Sequence, residues 1–277
     1  SDDYDLRIIT DGTGGVIDSG SGEVTIKRQG SAKLATTSTG IDVTGTINGA
    51  GILSNATNFS ESILISNDAG TGTLSSAGSN TGLGFEVFDD LTSGDNNVGL
   101  GRKALTKLTT GSSNIGIGAN ALAANTTGGT NTVVGGEGMS ANTTGSFNTA
   151  IGYNVMASNT EGASNVAVGW GALDANTTAD NNTAVGKNAL TANTTASFNT
   201  AIGSLAADAL TTGDSNTVIG YAALSSDTLG ERAIAIGEGA LLTQNFTSET
   251  SNYNVAVGYN AGYSVTTGIQ NTLIGGL

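Results

Sequence analysis

No cysteine, histidine or proline occurs anywhere in this chain. Without cysteine there is no disulfide and no thiolate metal site. Without histidine the commonest general base and the commonest metal ligand are both missing. Average proline usage is ~5%. Its absence suits continuous stacked ladders, because each proline would remove a ladder donor. Positive charge is scarce: 9 Lys and Arg stand against 23 Asp and Glu, for a formal net charge of −14. That balance disfavours nucleic acid and anionic membranes, which bind through basic patches. The largest cationic cluster, Lys27-Arg28, is too small to form one. No window approaches the ~18 consecutive apolar residues of a membrane span, and no signal peptide is visible. The chain opens on Ser1 and stops within a repeat at Leu277. Both ends lead us to expect a processed chain, or part of a longer one.

What is present is a 17-residue repeat. Asn80, Asn97, Asn114, Asn131, Asn148, Asn165, Asn182, Asn199 and Asn216 stand 17 apart. The register passes through Ala233, takes a four-residue insertion near 244–247, and resumes at Asn254 and Asn271. Each unit reads Asn, β-branched, small, aliphatic, Gly, two variable residues, Ala, Leu, then a polar run such as Asn-Thr-Thr-Gly. The Gly column comprises Gly84, Gly101, Gly118, Gly135, Gly152, Gly169, Gly186, Gly203, Gly220, Gly237, Gly258 and Gly275. Periodicity this strict predicts a quasi-one-dimensional stack, an all-β solenoid or β-roll of 17-residue coils over 80–277. At ~4.8 Å per layer, twelve layers make a shaft of roughly 55–60 Å.

Residues 1–79 lack the period and read as a short-strand β region serving attachment or shaft. Leu6–Thr10, Glu23–Arg28 and Ile41–Ile47 are candidate strands, and Ile63–Ile65 is a further one entering the array. Asp11-Gly12 and Asn48-Gly49 are turn signals. Ala104–Lys107 and Ala121–Ala124 have helix propensity, but each run is long enough for a single turn only.

Alternation within Asn148-Thr149-Ala150-Ile151-Gly152 puts Thr149 and Ile151 on one face and Ala150 on the other. The β-branched face is expected to form the apolar stack, with the Ala-Leu pairs supplying its facing side. The small-residue face is expected to admit another backbone layer closely. With about two large aliphatic side chains per coil the core is thin. Small faces from several chains are therefore expected to meet along a common axis. The insertion at Gln244–Thr247 is expected to bulge as a surface loop.

Units such as Asn254-Val255-Ala256-Val257-Gly258-Tyr259-Asn260-Ala261 resemble the glycine-alanine repeats of bacteriophage tail fibres, marine and cyanobacterial ones especially. They are also similar to the head repeats of trimeric autotransporter adhesins, although those repeats are usually shorter. Ser38-Thr39-Gly40-Ile41-Asp42-Val43-Thr44-Gly45-Thr46 resembles segments that precede such arrays in phage fibres. The resemblance implies a parallel homotrimer, attachment to a host surface, and a virion-surface or extracellular location.

Candidate sites are few. The Gly column reads as a structural corner, and the Asn column as a ladder that satisfies its own side-chain bonds. The position after each Gly varies, which suggests exposure. Its Tyr153, Trp170, Tyr221 and Tyr259 are candidates for stacking on sugar rings of a host-surface polysaccharide. Asp89-Asp90 with Asp95 could bind calcium but matches no calcium-loop spacing. Asn125, Asn142, Asn176 and Asn193 head Asn-Thr-Thr acceptor patterns for glycosylation, with a turn role as the alternative. No catalytic residues, metal ligands or cofactor are expected, and no enzyme. The leading function is a structural fibre or adhesin shaft of a virion tail fibre. The alternatives are a bacterial surface adhesin or extracellular filament subunit, a polysaccharide-cleaving tailspike, and an ice-binding solenoid.

Overall fold

The computed structural model describes residues 25–28, 31–37, 40–43, 46–47, 50–56, 59–66 and 73–276. Leu6–Thr10 and the turns at Asp11-Gly12 and Asn48-Gly49 lie outside them. The chain divides into two compact units, Ser1–Gly49 and Ala50–Leu277. In the first, β1 (Thr25–Arg28), β2 (Ser31–Thr37) and β3 (Gly40–Val43) form an antiparallel meander, followed by the two-residue β4 (Thr46–Ile47). Of the expected strand over 41–47, residues 41–43 and Thr46–Ile47 are strand, and Thr44-Gly45 lie outside the described residues.

The second unit is an all-β, parallel β-solenoid, and no helix occurs among the described residues. It starts with an antiparallel pair, β5 (Ala50–Ala56) and β6 (Phe59–Ser66). β6 then pairs in parallel with β7 (Ala77–Gly78) and with β8 (Thr81–Leu83), so Ile63–Ile65 does enter the array. There follow β9 (Val98–Leu100), β10 (Ile115–Ile117), β11 (Thr132–Val134), β12 (Thr149–Ile151), β13 (Val166–Val168), β14 (Thr183–Val185), β15 (Thr200–Ile202) and β16 (Thr217–Ile219). β17 (Gly230–Glu231), β18 (Ile234–Ile236), β19 (Thr250–Ser251), β20 (Val255–Val257) and β21 (Thr272–Ile274) complete the chain. Each three-residue strand lies in register on its equivalent one coil later, as Ala150 on Ala167 and, across the insertion, Ala235 on Ala256.

The facing of the strands reverses the expectation. In every three-residue strand but the last the middle residue is buried, whereas its two neighbours are partly or fully exposed. The small residues therefore fill the chain's own core, and the β-branched and aliphatic ones form its outer surface. The reason is the width of the coil. A Cβ built on Gly82 would lie 3.0 Å from Phe88 Cδ2, and one on Gly99 2.7 Å from Val87 Cγ1. From Gly82 to Ala256 only Gly, Ala or Val stands between the strand and the opposite wall, and Leu occurs there only at the ends, as Leu64 and Leu273. Coil 131–147 trades the sizes: Val133 is the large partner, and Gly138 replaces the usual Ala opposite it. The opposite wall is the buried Ala-Leu pair, for example Ala104-Leu105 and Ala189-Leu190, as expected. Small faces of several chains do not meet on an axis, because each is already covered from within.

The Ala-Leu segments are not helical turns. Leu105 (φ 54°) and Leu122 (φ 54°) are left-handed, as are Lys103 (φ 60°) and Asn120 (φ 59°) two residues before them. Alternation of φ sign makes tandem tight turns, closed by bonds such as Ala104 N to Gly101 O (3.3 Å) and Leu108 N to Leu105 O (3.2 Å). The turns also bond along the stack: Lys103 N donates to Phe85 O (2.7 Å) and Leu105 N to Ala121 O (3.0 Å). A left-handed Leu costs of order 1 kcal/mol, and these bonds hold it there.

The Gly column is a corner at which no other residue fits. Gly152 has φ 135°, and a Cβ on it would meet Gly169 O at 2.8 Å. Gly152→Ala is therefore expected to cost about 3 kcal/mol, through forbidden φ and a backbone clash. The measurement is the denaturant midpoint against wild type.

Candidate functional site: the outer face and its aromatic margin

Two asparagine ladders fix the corners beside the outer face. In the first, Asn97 Nδ2 donates to Asn80 Oδ1 (3.0 Å) and Gly111 O (3.0 Å), while Asn97 N also donates to Asn80 Oδ1 (2.9 Å). This pattern recurs in later coils, so the column satisfies itself as expected. The second ladder is the Asn-Thr-Thr asparagine. Asn142 Nδ2 donates to Asn125 Oδ1 (2.8 Å) and Gly145 O (3.0 Å), and Asn159, Asn176 and Asn193 continue it. Asn125, Asn142, Asn176 and Asn193 are fully buried. Their amides are committed to the stack and closed to a glycosylating enzyme.

The insertion departs from its expectation. Gln244 and Phe246 are buried, and the exposed bulge is Thr247, Ser248 and Glu249. Gln244 is held inside because Ala233 leaves a gap in the first ladder. Its Oε1 accepts from Asn254 Nδ2 (2.7 Å), and its Nε2 donates to the buried Asp227 Oδ2 (2.7 Å). One longer amide thus bridges both ladders. Gln244→Ala should cost about 2–4 kcal/mol by leaving Asp227 and Asn254 short of partners; thermal unfolding measures it.

The outer face carries one column of Leu, Ile or Val and one of Thr, Val or Ile, with Leu83, Ile115, Val134, Ile151, Val166 and Ile219 at 36–54% exposure. Aromatic residues border both margins. After the Gly column stand Tyr153, Trp170, Tyr221 and Tyr259, all more than half exposed. Of these, only Tyr153 and Trp170 occupy consecutive coils, whereas Glu238 separates Tyr221 from Tyr259. Lys187, one coil further, places Nζ 5.5 Å from the Trp170 ring centroid. Before the Asn column stand Phe147, Phe198 and Tyr253, exposed at 66%, 63% and 53%. Sequence reasoning missed these three. The signal was there, since that position is polar in most other coils.

The acidic trio does not converge. Asp90 pairs with Lys107 (3.0 Å), and Asp95 Oδ1 accepts from Gly78 N (2.7 Å). Among the described residues no group of three or more His, Cys, Asp or Glu side chains could hold a metal. Asp90 raises the pKa of the Lys107 ammonium by hydrogen bond and charge. Burial pushes the carboxyls of Asp174 and Asp208 up, against a smaller lowering by backbone hydrogen bonds. Asp174 also accepts from Asn154 Nδ2 (2.8 Å).

A carboxyl raised in the folded state favours folding while protonated. Its contribution is full below the ordinary carboxylate range and is lost as pH rises through the folded value. Asp174→Asn and Asp208→Asn should therefore raise the melting temperature at pH 7, and the gain should shrink as pH falls through the raised folded value towards about 4. Melting curves across pH check this.

No family model matches the chain, and neither the curated proteins nor the solved structures compared with it yield a match.

Proposed function

We propose that this chain is the shaft of a homo-oligomeric fibre, a virion tail fibre in the first instance, that contributes to attachment at a host surface. The observation that supports it is the outer face. A column of Leu, Ile or Val runs along every coil beside a column of Thr, Val or Ile, a strip of more continuous apolar exposure than the scattered single residues usual for a monomer. Between the first outward residue and the aromatic margin the strip is about 13 Å wide and about 55 Å long. That gives on the order of 700 Å² per chain, close to the ~800 Å² per partner of a standard interface. β-branched and aliphatic side chains in register make a flat surface that a second copy matches. Three parallel copies facing a common axis is the arrangement implied by the resemblance to phage fibres and trimeric adhesins. In this reading the faces that meet are the β-branched ones, not the small ones.

The proposal includes no enzymatic activity. The extracellular or virion location follows from the role. A bacterial adhesin or extracellular filament subunit would use the same face in the same way.

The test is native mass by light scattering. The expected value is three times the 27.2 kDa chain. Ile151→Lys with Ile219→Lys should reduce it to a single chain while the circular dichroism of the solenoid persists, because both side chains point outward. A wild-type monomer sinks the proposal.

A further inference from the structure

The margin beyond the Gly column has a charge character unlike the rest of the chain. The five Lys and Arg side chains described are Arg102, Lys103, Lys107, Lys187 and Arg232. Lys103, Lys107 and Arg232 are ion-paired with Glu86, Asp90 and Glu231. The other two, Arg102 and Lys187, both stand in the column that follows the repeat Gly, and both are exposed. From Phe85 to Tyr221 that column holds no carboxylate, in a chain of net charge −14. Between the two cations lie Ala119, Gly136, Tyr153 and Trp170, one per coil.

The floor and the rings suit one another. A Cβ on Gly136 would lie 3.4 Å from Tyr153 Cδ2, so the Tyr153 ring leans across that glycine. Ala119 and Gly136 keep the track beside it low. Trp170 follows one layer on, with its face toward Lys187. From Arg102 to Lys187 the track spans five layers, about 24 Å. Adjacent rings offer apolar faces to the C–H faces of sugars. Unpaired cations at both ends attract an anionic polymer; the carboxylate of Glu137, beside the track, accepts a hydrogen bond from Asn120 Nδ2 (2.6 Å).

We infer that the column Arg102–Lys187 is a binding track for an acidic polysaccharide, a polyuronate-like chain stacked on Tyr153 and Trp170 with carboxylates at Arg102 and Lys187. The inference deepens the host-attachment part of the proposed function and rests on it. It separates this track from Tyr221 and Tyr259, which stand beside the carboxylate of Glu238.

The experiment is affinity electrophoresis of the full chain in gels containing alginate, neutral dextran or oligo(dT), with light scattering on the same samples. Alginate should retard the wild type and dextran should not. Retardation should weaken as salt rises. Trp170→Ala should weaken it roughly tenfold, and Lys187→Gln several-fold. Ser248→Ala, in the exposed bulge, should leave it unchanged. Equal retardation by dextran, preference for oligo(dT), or unchanged binding by Trp170→Ala and Lys187→Gln would each overturn the inference. Assembly without alginate binding removes the track alone. Alginate binding by a single chain removes the fibre alone.

Discussion

Everything in the solenoid depends on one bond pattern, the backbone of each coil hydrogen-bonded to its own equivalent one coil later. Strands, tandem turns and polar corners all bond in this direction. Thr109 N to Thr126 O (2.9 Å) is as much part of it as the sheet is. A residue in a left-handed or glycine-only conformation is therefore not locally stable; it is held by the layer above and below. Stacking of this kind explains why the chain tolerates left-handed Leu, Met and Phe, which short peptides avoid. The same dependence makes each coil a poor folding unit and the array a cooperative one.

In-register stacking also brings every substitution onto a copy of itself. Asparagine gains from this, because an amide both donates and accepts along the axis. Where the ladder stops, a polar atom is stranded: Leu210 follows Asn193 in the second column, and Asn193 Oδ1 has no partner. Where Ala233 interrupts the first column, Gln244 reaches across to restore it. These two sites show the same rule, one unsatisfied and one repaired. Glycine gains for another reason, since the corner leaves no volume for Cβ between successive carbonyls.

The interior is narrow and the exterior apolar, and the two facts are linked. A coil this flat has room for one small residue per strand against one Leu or Met, so the larger aliphatics are turned outward. An outward apolar face of regular strands is a surface for association, and its margins carry the rings and the unpaired cations. Core and outer face are thus successive consequences of a 17-residue coil, and the proposed interface and track are built on that face and its margin.

The sequence by itself determined the period, the solenoid, the Gly corner and the first Asn ladder. These depend on residues that repeat at fixed spacing, and spacing is legible without coordinates. It also marked the position after Gly as exposed, because that position varies from coil to coil. Only the tertiary structure decided which face of the strand is the core. Alternation separates Ala150 from Thr149 and Ile151 but does not say how wide the coil is, and width chooses the side. The buried role of Gln244 escaped the sequence for a similar reason. Its partners, Asp227 and Asn254, are 17 and 10 residues away and meet it only when the layers stack. The contact of Lys187 with Trp170, and the lean of Tyr153 across Gly136, likewise exist only once residues one coil apart become neighbours.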